Sequence, residues 1–231
     1  MIKGWPMQQE FDALIDSYID ATIAQSGDML HSQKEAIREN VRKTLTSFRD
    51  KFQNGYDSIG VWLVEHGIEC PVLSKEGLKA LYTPEMIASG KQVYEVLGFT
   101  NDDVQTFYKA AYSLLHQKTG NSYANARNAF FFLVTIAPQV VDFWLGLSHC
   151  STQLKEYDDA LDATLHALEC NPTLPEIYLQ AFFLYLELNQ KEEALVLCKQ
   201  GIDFAKSHTD PWAKTLSTTL EEANARLMME K

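Results

Sequence analysis

The residues best suited to covalent chemistry in this sequence stand together in Gly146-Leu-Ser148-His149-Cys150. A serine beside a histidine could act as a nucleophile with its base. The pattern differs, however, from the Gly-x-Ser-x-Gly turn of hydrolases, and the surrounding apolar spacing predicts the middle of a helix rather than a strand-to-helix turn. We therefore expect no catalytic residue here.

Metal, nucleotide and paired-carboxylate sites are not predicted either. The 6 histidines never stand four residues apart, so no helix presents two imidazoles on one face. The 4 cysteines form no Cys-x-x-Cys pair, and the 11 glycines form no phosphate-binding loop. Asp158-Asp159 and Glu192-Glu193 come just before the predicted second helix of their repeats, where negative charge complements the helix dipole. We expect a protein without cofactor, metal or enzymatic activity.

The charge and hydropathy of the chain exclude further classes of partner. The 231 residues include 20 Lys and Arg against 31 Asp and Glu, giving a net charge of −11. This balance offers no basic patch for phosphates, so nucleic acid is not an expected partner. The longest apolar run, which begins at Ala129, is far shorter than the roughly 20 residues of a membrane span. The N-terminus lacks the apolar core of a signal peptide. We expect no stable membrane insertion and a reducing cytoplasm.

The hydrophobic pattern predicts an all-α protein that begins with an N-terminal helical region, residues 1–98. Two early helices are marked by apolar stripes, Met7, Phe11, Leu14 and Tyr18 in the first and Ile37, Val41, Leu45, Phe48 and Phe52 in the second. A turn at residues 25–28 separates them, and Gly55 is predicted to end the second helix. Residues 67–83 are expected to be irregular. Thr83 then caps a helix that begins at Pro84 and runs to about Leu97.

A repeat of about 34 residues follows, and its period indicates tetratricopeptide repeats, each with two antiparallel helices. Ala126, Ala160 and Ala194 stand one period apart, as small residues should where the paired helices touch. The pattern predicts three repeats over residues 99–208, with an insertion at residues 117–122. Residues 209–231 are predicted to form a capping helix, with Trp212, Leu216, Leu220, Ala223 and Leu227 on its inner face.

The first helix of each repeat is expected to line a concave groove. Its candidate peptide-binding residues lie one, five and eight positions after the large aromatic site of each repeat. They are Tyr108, Tyr112 and Leu115, then Leu145, His149 and Thr152, then Leu179, Phe183 and Leu186. Most are apolar, and a contiguous apolar patch of this kind marks a binding surface for an extended or helical peptide. The alternative is that several of them are buried against the N-terminal helices.

The middle repeat carries a resemblance to a known family. Phe143-Trp-Leu-Gly-Leu-Ser-His-Cys150 followed by Gln153-Leu-Lys-Glu-Tyr-Asp-Asp-Ala160 resembles the class II chaperones of bacterial type III secretion. The likeness covers about residues 99–228, and the long N-terminal region resembles that of the longer chlamydial members. It implies a cytoplasmic bacterial protein that binds an extended segment of hydrophobic translocator proteins and keeps them soluble until export. It also implies contact with the secretion gatekeeper and a homodimer.

Two other classes of function are open at this stage. A generic tetratricopeptide-repeat scaffold would join soluble protein partners and would be indifferent to translocators. A hydrolase in residues 1–98 would require a polar cluster that the sequence does not display. The hypothesis that agrees with both the apolar groove and the acidic surface is the chaperone, since negative charge keeps a complex with an apolar client in solution.

Overall fold

The computed structural model describes residues 8–25, 30–80, 83–117 and 121–229, and every regular element in these ranges is an α-helix. The predicted all-α fold is confirmed. The helices are α1 Gln8–Gln25, α2 His31–Glu65, α3 Lys75–Ala80, α4 Pro84–Ser89, α5 Val93–Val96, α6 Asn101–His116, α7 Ser122–Ile136, α8 Val141–Gln153, α9 Tyr157–Cys170, α10 Pro175–Glu187, α11 Lys191–Lys206 and α12 Pro211–Met229. The predicted turn at 25–28 and the predicted insertion at 117–122 fall largely outside the described residues.

Helix α1 buries a different stripe from the predicted one. Phe11, Ile15 and Ile19 are buried at intervals of four residues, and α1 packs on α2. Tyr18 was expected on the buried face but is 60% exposed. The isoleucines suit the interior better because a buried tyrosine hydroxyl needs a hydrogen-bond partner. Met7, the first residue of the predicted stripe, lies outside the described residues.

Helix α2 is one uninterrupted helix of 35 residues, so the prediction that Gly55 ends it is wrong. Gly55 is buried where α2 passes α7. A Cβ atom at this position would lie 2.2 Å from the carbonyl oxygen of Asn128 and 2.7 Å from the Cβ of Phe132. Glycine is required here because two helix backbones approach closely, and it does not interrupt the helix.

An aromatic cluster joins α2 to the pair formed by α6 and α7. The ring of Phe132 lies at its centre, with centroid distances of 4.9 Å to Phe52, 5.6 Å to Tyr56 and 5.7 Å to Phe107. The planes are tilted or perpendicular, the arrangements that the ring quadrupole favours, and each such pair contributes about 0.5–1.5 kcal/mol beyond its buried area. The first repeat therefore shares one core with the N-terminal helices.

The segment between α2 and α6 contains more helix, and more breaks, than predicted. The irregular connection expected at residues 67–83 includes α3. The single helix expected after it is divided into α4 and α5, because Gly90 adopts a φ of +67° and a left-handed residue cannot continue a right-handed helix. Thr83 caps α4 as predicted, since its hydroxyl oxygen accepts a hydrogen bond from the amide of Met86 at 3.2 Å.

Three helical hairpins follow, α6 with α7, α8 with α9 and α10 with α11. Ala126, Ala160 and Ala194 are fully buried in their second helices, as the repeat predicts. The turns inside the second and third hairpins also repeat. Lys155 and Asn189, which stand one repeat period apart, adopt positive φ angles of 61° and 58°. The same backbone geometry at the same interval confirms the register of the repeat.

Helix α12 covers the last hairpin as a cap. Ala213, Leu216 and Leu220 are buried in one core with residues of α10 and α11. Trp212 and Ala223 pack at the edge of that core. Four of the five residues predicted for the capping face are therefore in contact with the repeats, and the side chain of Leu227 lies outside the described part of the structure.

By its contacts the chain divides into two compact units, residues 1–137 and 138–231. Unit 1 contains α1–α7 and unit 2 contains α8–α12. The repeat pattern predicts other boundaries, after residues 98 and 208. These boundaries stay a prediction, since they separate repeats in the sequence and not compact units. The contacts group the first hairpin with the N-terminal helices because α7 packs along α2.

The close passage of α2 past α7 leads to a stability prediction. Gly55→Ala should destabilise unit 1 by about 1–3 kcal/mol, because the new methyl group collides with backbone that cannot move aside. In an ordinary helix the same substitution would stabilise by about 1 kcal/mol. Chemical denaturation of the full chain measures the difference. Asn54→Ala, at an exposed neighbouring position, is the control and should stay within about 0.5 kcal/mol of the parent. A stabilised Gly55→Ala variant would contradict the packing described here.

Candidate peptide-binding site

The serine that first suggested a nucleophile is a structural residue. Ser148 is fully buried in α8, and its hydroxyl lies 2.9 Å from the carbonyl oxygen of Ala160 and 2.6 Å from the hydroxyl of Thr164. The side-chain amide of Gln180 donates a hydrogen bond to the same Ser148 oxygen at 2.7 Å. Ser148 thus joins α8 to both α9 and α10, and a substrate has no access to it.

Three of the four thiols are poorly suited to nucleophilic chemistry. Burial raises the pKa of Cys198 to about 11, and burial also raises the pKa of Cys70 and of Cys170. These thiols therefore stay protonated near neutral pH and are poor nucleophiles. Within the described residues, no group of three or more His, Cys, Asp or Glu side chains is placed to hold a metal ion. None of the described helices is long and apolar enough to span a bilayer.

Six of the nine predicted groove residues lie in unit 2, on the first helix of each hairpin. On α8, Leu145 and Thr152 are half-buried and His149 is exposed. On α10, Leu179 and Leu186 are half-buried, whereas Phe183 is 58% exposed. The opposite face of α10 is fixed in the core, since its neighbour Phe182 is buried and packs edge-on to Phe183 at 5.6 Å. Phe183 is therefore held with one side of its ring free of the core.

The three residues of α10 come together at a pocket of about 270 Å³ between α10 and the capping helix α12. Its apolar part is made by Leu179, Phe182, Phe183, Leu186 and Ala223, and its rim by Thr219, Glu222 and Arg226. The predicted residues of α8 are not among the described residues that line it.

Sequence reasoning missed the contribution of α12 to this pocket. It treated the capping helix as a cover for the core and weighed only its apolar stripe. The signal that could have found the second face is the spacing of Thr219, Glu222 and Arg226, which places three polar residues beside Ala223 on one side of the helix. The mixed charge of this rim leaves the pocket nearly neutral.

The other three predicted groove residues lie in unit 1, on α6. Tyr108 and Leu115 are half-buried, and Tyr112 is 53% exposed. The ring centroids of Tyr108 and Tyr112 are 6.3 Å apart, and that of Tyr112 lies 4.3 Å from the ring of His116. Together they form a short aromatic row along the helix.

The alternative was that the N-terminal helices cover these positions. Tyr112 is not covered in this way, since its side chain is 53% exposed. Helix α2 meets α6 at another side, where the indole nitrogen of Trp62 donates a hydrogen bond to the hydroxyl of Ser113 at 3.0 Å. The buried residues of α6, among them Phe107 and Ala111, face this core. Tyr112 stays open within unit 1.

The structural role of Ser148 is testable. Ser148→Ala should lower the free energy of unfolding by about 1–3 kcal/mol, because the half-buried amide of Gln180 and the buried hydroxyl of Thr164 lose a partner. Thermal and denaturant unfolding of the full chain measure the loss. Thr215→Ala removes an exposed hydroxyl of α12 and should change stability by less than about 0.5 kcal/mol. Equal stability of the two variants would show that the hydrogen bonds of Ser148 do not stabilise the fold.

Comparison with known proteins identifies the repeat independently. The family model for the tetratricopeptide repeat matches residues 163–196, which run from α9 through α10 into α11. No curated protein sequence matches the chain.

Several solved structures align with the chain. A chain in the crystal structure of a type III secretion complex from Aeromonas hydrophila aligns with a TM-score of 0.53 and 16% identity, over 63% of this chain and 94% of that chain. A chain of the CopN-Scc3 complex aligns with a TM-score of 0.52 and 18% identity, over 73% and 98%. The translocator chaperone SycD of Yersinia enterocolitica aligns with a TM-score of 0.49 and 19% identity, over 59% of this chain and 98% of that chain. Together with the family match, the first two alignments show that the protein has the tetratricopeptide-repeat fold, which confirms the fold that its sequence resemblance implies.

Proposed function

We propose that the protein is a type III secretion chaperone that binds an extended apolar segment of translocator proteins through the first helices of its repeats and keeps those proteins soluble before export. The observation that carries the proposal is Phe183, a large aromatic side chain held largely in solvent beside the apolar pocket of α10 and α12. Such a ring is a typical anchor point for a peptide, because its burial on binding removes a large apolar area from water.

The rest of unit 2 supports a peptide as the occupant of this pocket. Leu179 and Leu186 flank Phe183 along α10, so apolar side chains of an extended client can meet successive apolar positions. Glu222 and Arg226 at the rim supply one acceptor and one donor for the peptide backbone or polar side chains. The volume of about 270 Å³ suits one or two apolar side chains of a peptide.

In unit 1, Tyr108 and Tyr112 of α6 provide a second aromatic contact for the same class of client. The acidic surface, at net charge −11, then counteracts aggregation of the apolar cargo. In this role the protein acts by binding and not by catalysis, in the bacterial cytoplasm. Docking on the secretion gatekeeper and formation of a homodimer are parts of the proposal that rest on the sequence resemblance.

The test is to measure the affinity of a labelled apolar segment of a translocator for the parent chain and for Phe183→Ala. Truncation of an aromatic anchor costs about 2 kcal/mol or more, so the dissociation constant should rise about 30-fold. Tyr108→Ala should weaken binding further when it is combined with Phe183→Ala, while helicity by circular dichroism stays unchanged.

Val196→Ala provides the matched control, because Val196 is an exposed apolar residue of the same unit on α11. It should leave client affinity within about twofold of the parent. Unchanged affinity of a folded Phe183→Ala variant would overturn the assignment of the groove. A generic scaffold would bind a scrambled apolar peptide as well as the translocator segment.

A further inference from the structure

Unit 2 contains a second hollow, of about 470 Å³, that the proposed chaperone role does not use. It lies between α9 and α11, with one residue of α10 between them. We call it the α9–α11 groove. It is lined by Leu165, Leu168 and Glu169 of α9, Tyr185 of α10, and Glu192, Glu193, Val196, Leu197 and Gln200 of α11.

The floor of the α9–α11 groove is apolar and partly open. Leu165, Leu168 and Tyr185 are half-buried at the margin of the unit 2 core, and Leu197 is buried beneath them. Val196 projects from α11 and is 55% exposed. These side chains can still lose apolar area to a partner, which is the main driving force for docking a peptide side chain.

The rim is acidic. Glu169, Glu192 and Glu193 are all exposed, and none of the described lining residues is a lysine or an arginine. The Nδ1 atom of His166 lies 3.3 Å from a carboxylate oxygen of Glu169. Burial raises the pKa of Tyr185, and the negative charges of Glu193 and Asp162 raise it further. The negative electrostatic potential therefore extends from the acidic rim to this residue of the floor.

The two hollows of unit 2 therefore differ in charge. The pocket of α10 and α12 has one carboxylate, Glu222, and one guanidinium, Arg226. The α9–α11 groove has three carboxylates around an apolar floor, and its described lining residues include no lysine or arginine. An acidic rim repels nucleic acid and anionic lipid surfaces and attracts cationic segments.

We propose that the α9–α11 groove is a second docking site, and that its occupant is a basic amphipathic segment of another protein. Apolar side chains of that segment pack on Leu165, Leu168 and Val196, and its lysines or arginines pair with Glu169, Glu192 and Glu193. This site does not depend on the proposed client groove, since the two are lined by different residues.

The probe is a short fluorescein-labelled peptide, three copies of the sequence Leu-Leu-Lys-Lys, titrated with the full chain at low salt. Glu192→Gln with Glu193→Gln should weaken its binding about fivefold, as expected for the loss of two partly exposed ion pairs. Val196→Ser should weaken it about threefold, because part of the apolar floor is lost. A peptide with serine in place of leucine should bind at least fivefold more weakly than the parent peptide.

The matched control is Asp158→Asn with Asp159→Asn, since these residues occupy the equivalent positions of the preceding repeat and do not line the groove. It removes the same charge and should change affinity by less than twofold. If both double variants lose the same affinity, the peptide responds to net charge alone, and the proposal is overturned. Full affinity of the serine peptide would overturn it as well. A larger loss of affinity for Phe183→Ala than for Glu192→Gln with Glu193→Gln would place this peptide in the pocket of α10 and α12 and would also overturn the proposal.

Discussion

The close approach of paired helices is the constraint on which the rest of this structure depends. Ala126, Ala160 and Ala194 let each second helix lie against its partner, and Gly55 does the same where α2 passes α7. Because these contacts occupy one face of a helix, a large apolar side chain on another face can stay exposed to solvent. Phe183 illustrates this: its neighbour Phe182 is buried in the core, and its own ring is not.

Polar contacts then fix the helices that carry the candidate site. Ser148 holds α8 to α9 and, through Gln180, to α10, so the first helices of neighbouring repeats are tied by a hydrogen-bond network around a buried hydroxyl. A rigid scaffold lowers the entropic cost of binding an extended client, because the anchors do not have to be ordered on association. Ser148, which looked suited to catalysis, thus fixes the helices that carry the candidate site.

Prediction from the sequence succeeded where a residue type at a given spacing is compatible with only one structural role. The alanine spacing predicted the hairpins, because small residues allow paired helices to touch. The apolar stripe that begins at Trp212 predicted the cap. Prediction failed where one residue has two possible purposes: Gly55 resembles a helix stop but permits close packing, and Tyr18 fits an apolar stripe but lies in water. The spacing of Thr219, Glu222 and Arg226 marks a second face of α12, but the sequence does not show that this face meets α10. The α9–α11 groove was not predicted either, since it depends on residues far apart in the chain that only packing brings together.

The central claim is that an apolar client segment occupies the face made by α10 and α12. Hydrogen-exchange mass spectrometry of the full chain, with and without a saturating apolar translocator segment, tests it most directly. We expect slower exchange in α10 and in the part of α12 around Thr219 and Ala223, with α9 and α11 little changed. Slower exchange confined to α9 and α11, or no change in unit 2 at saturation, would contradict it.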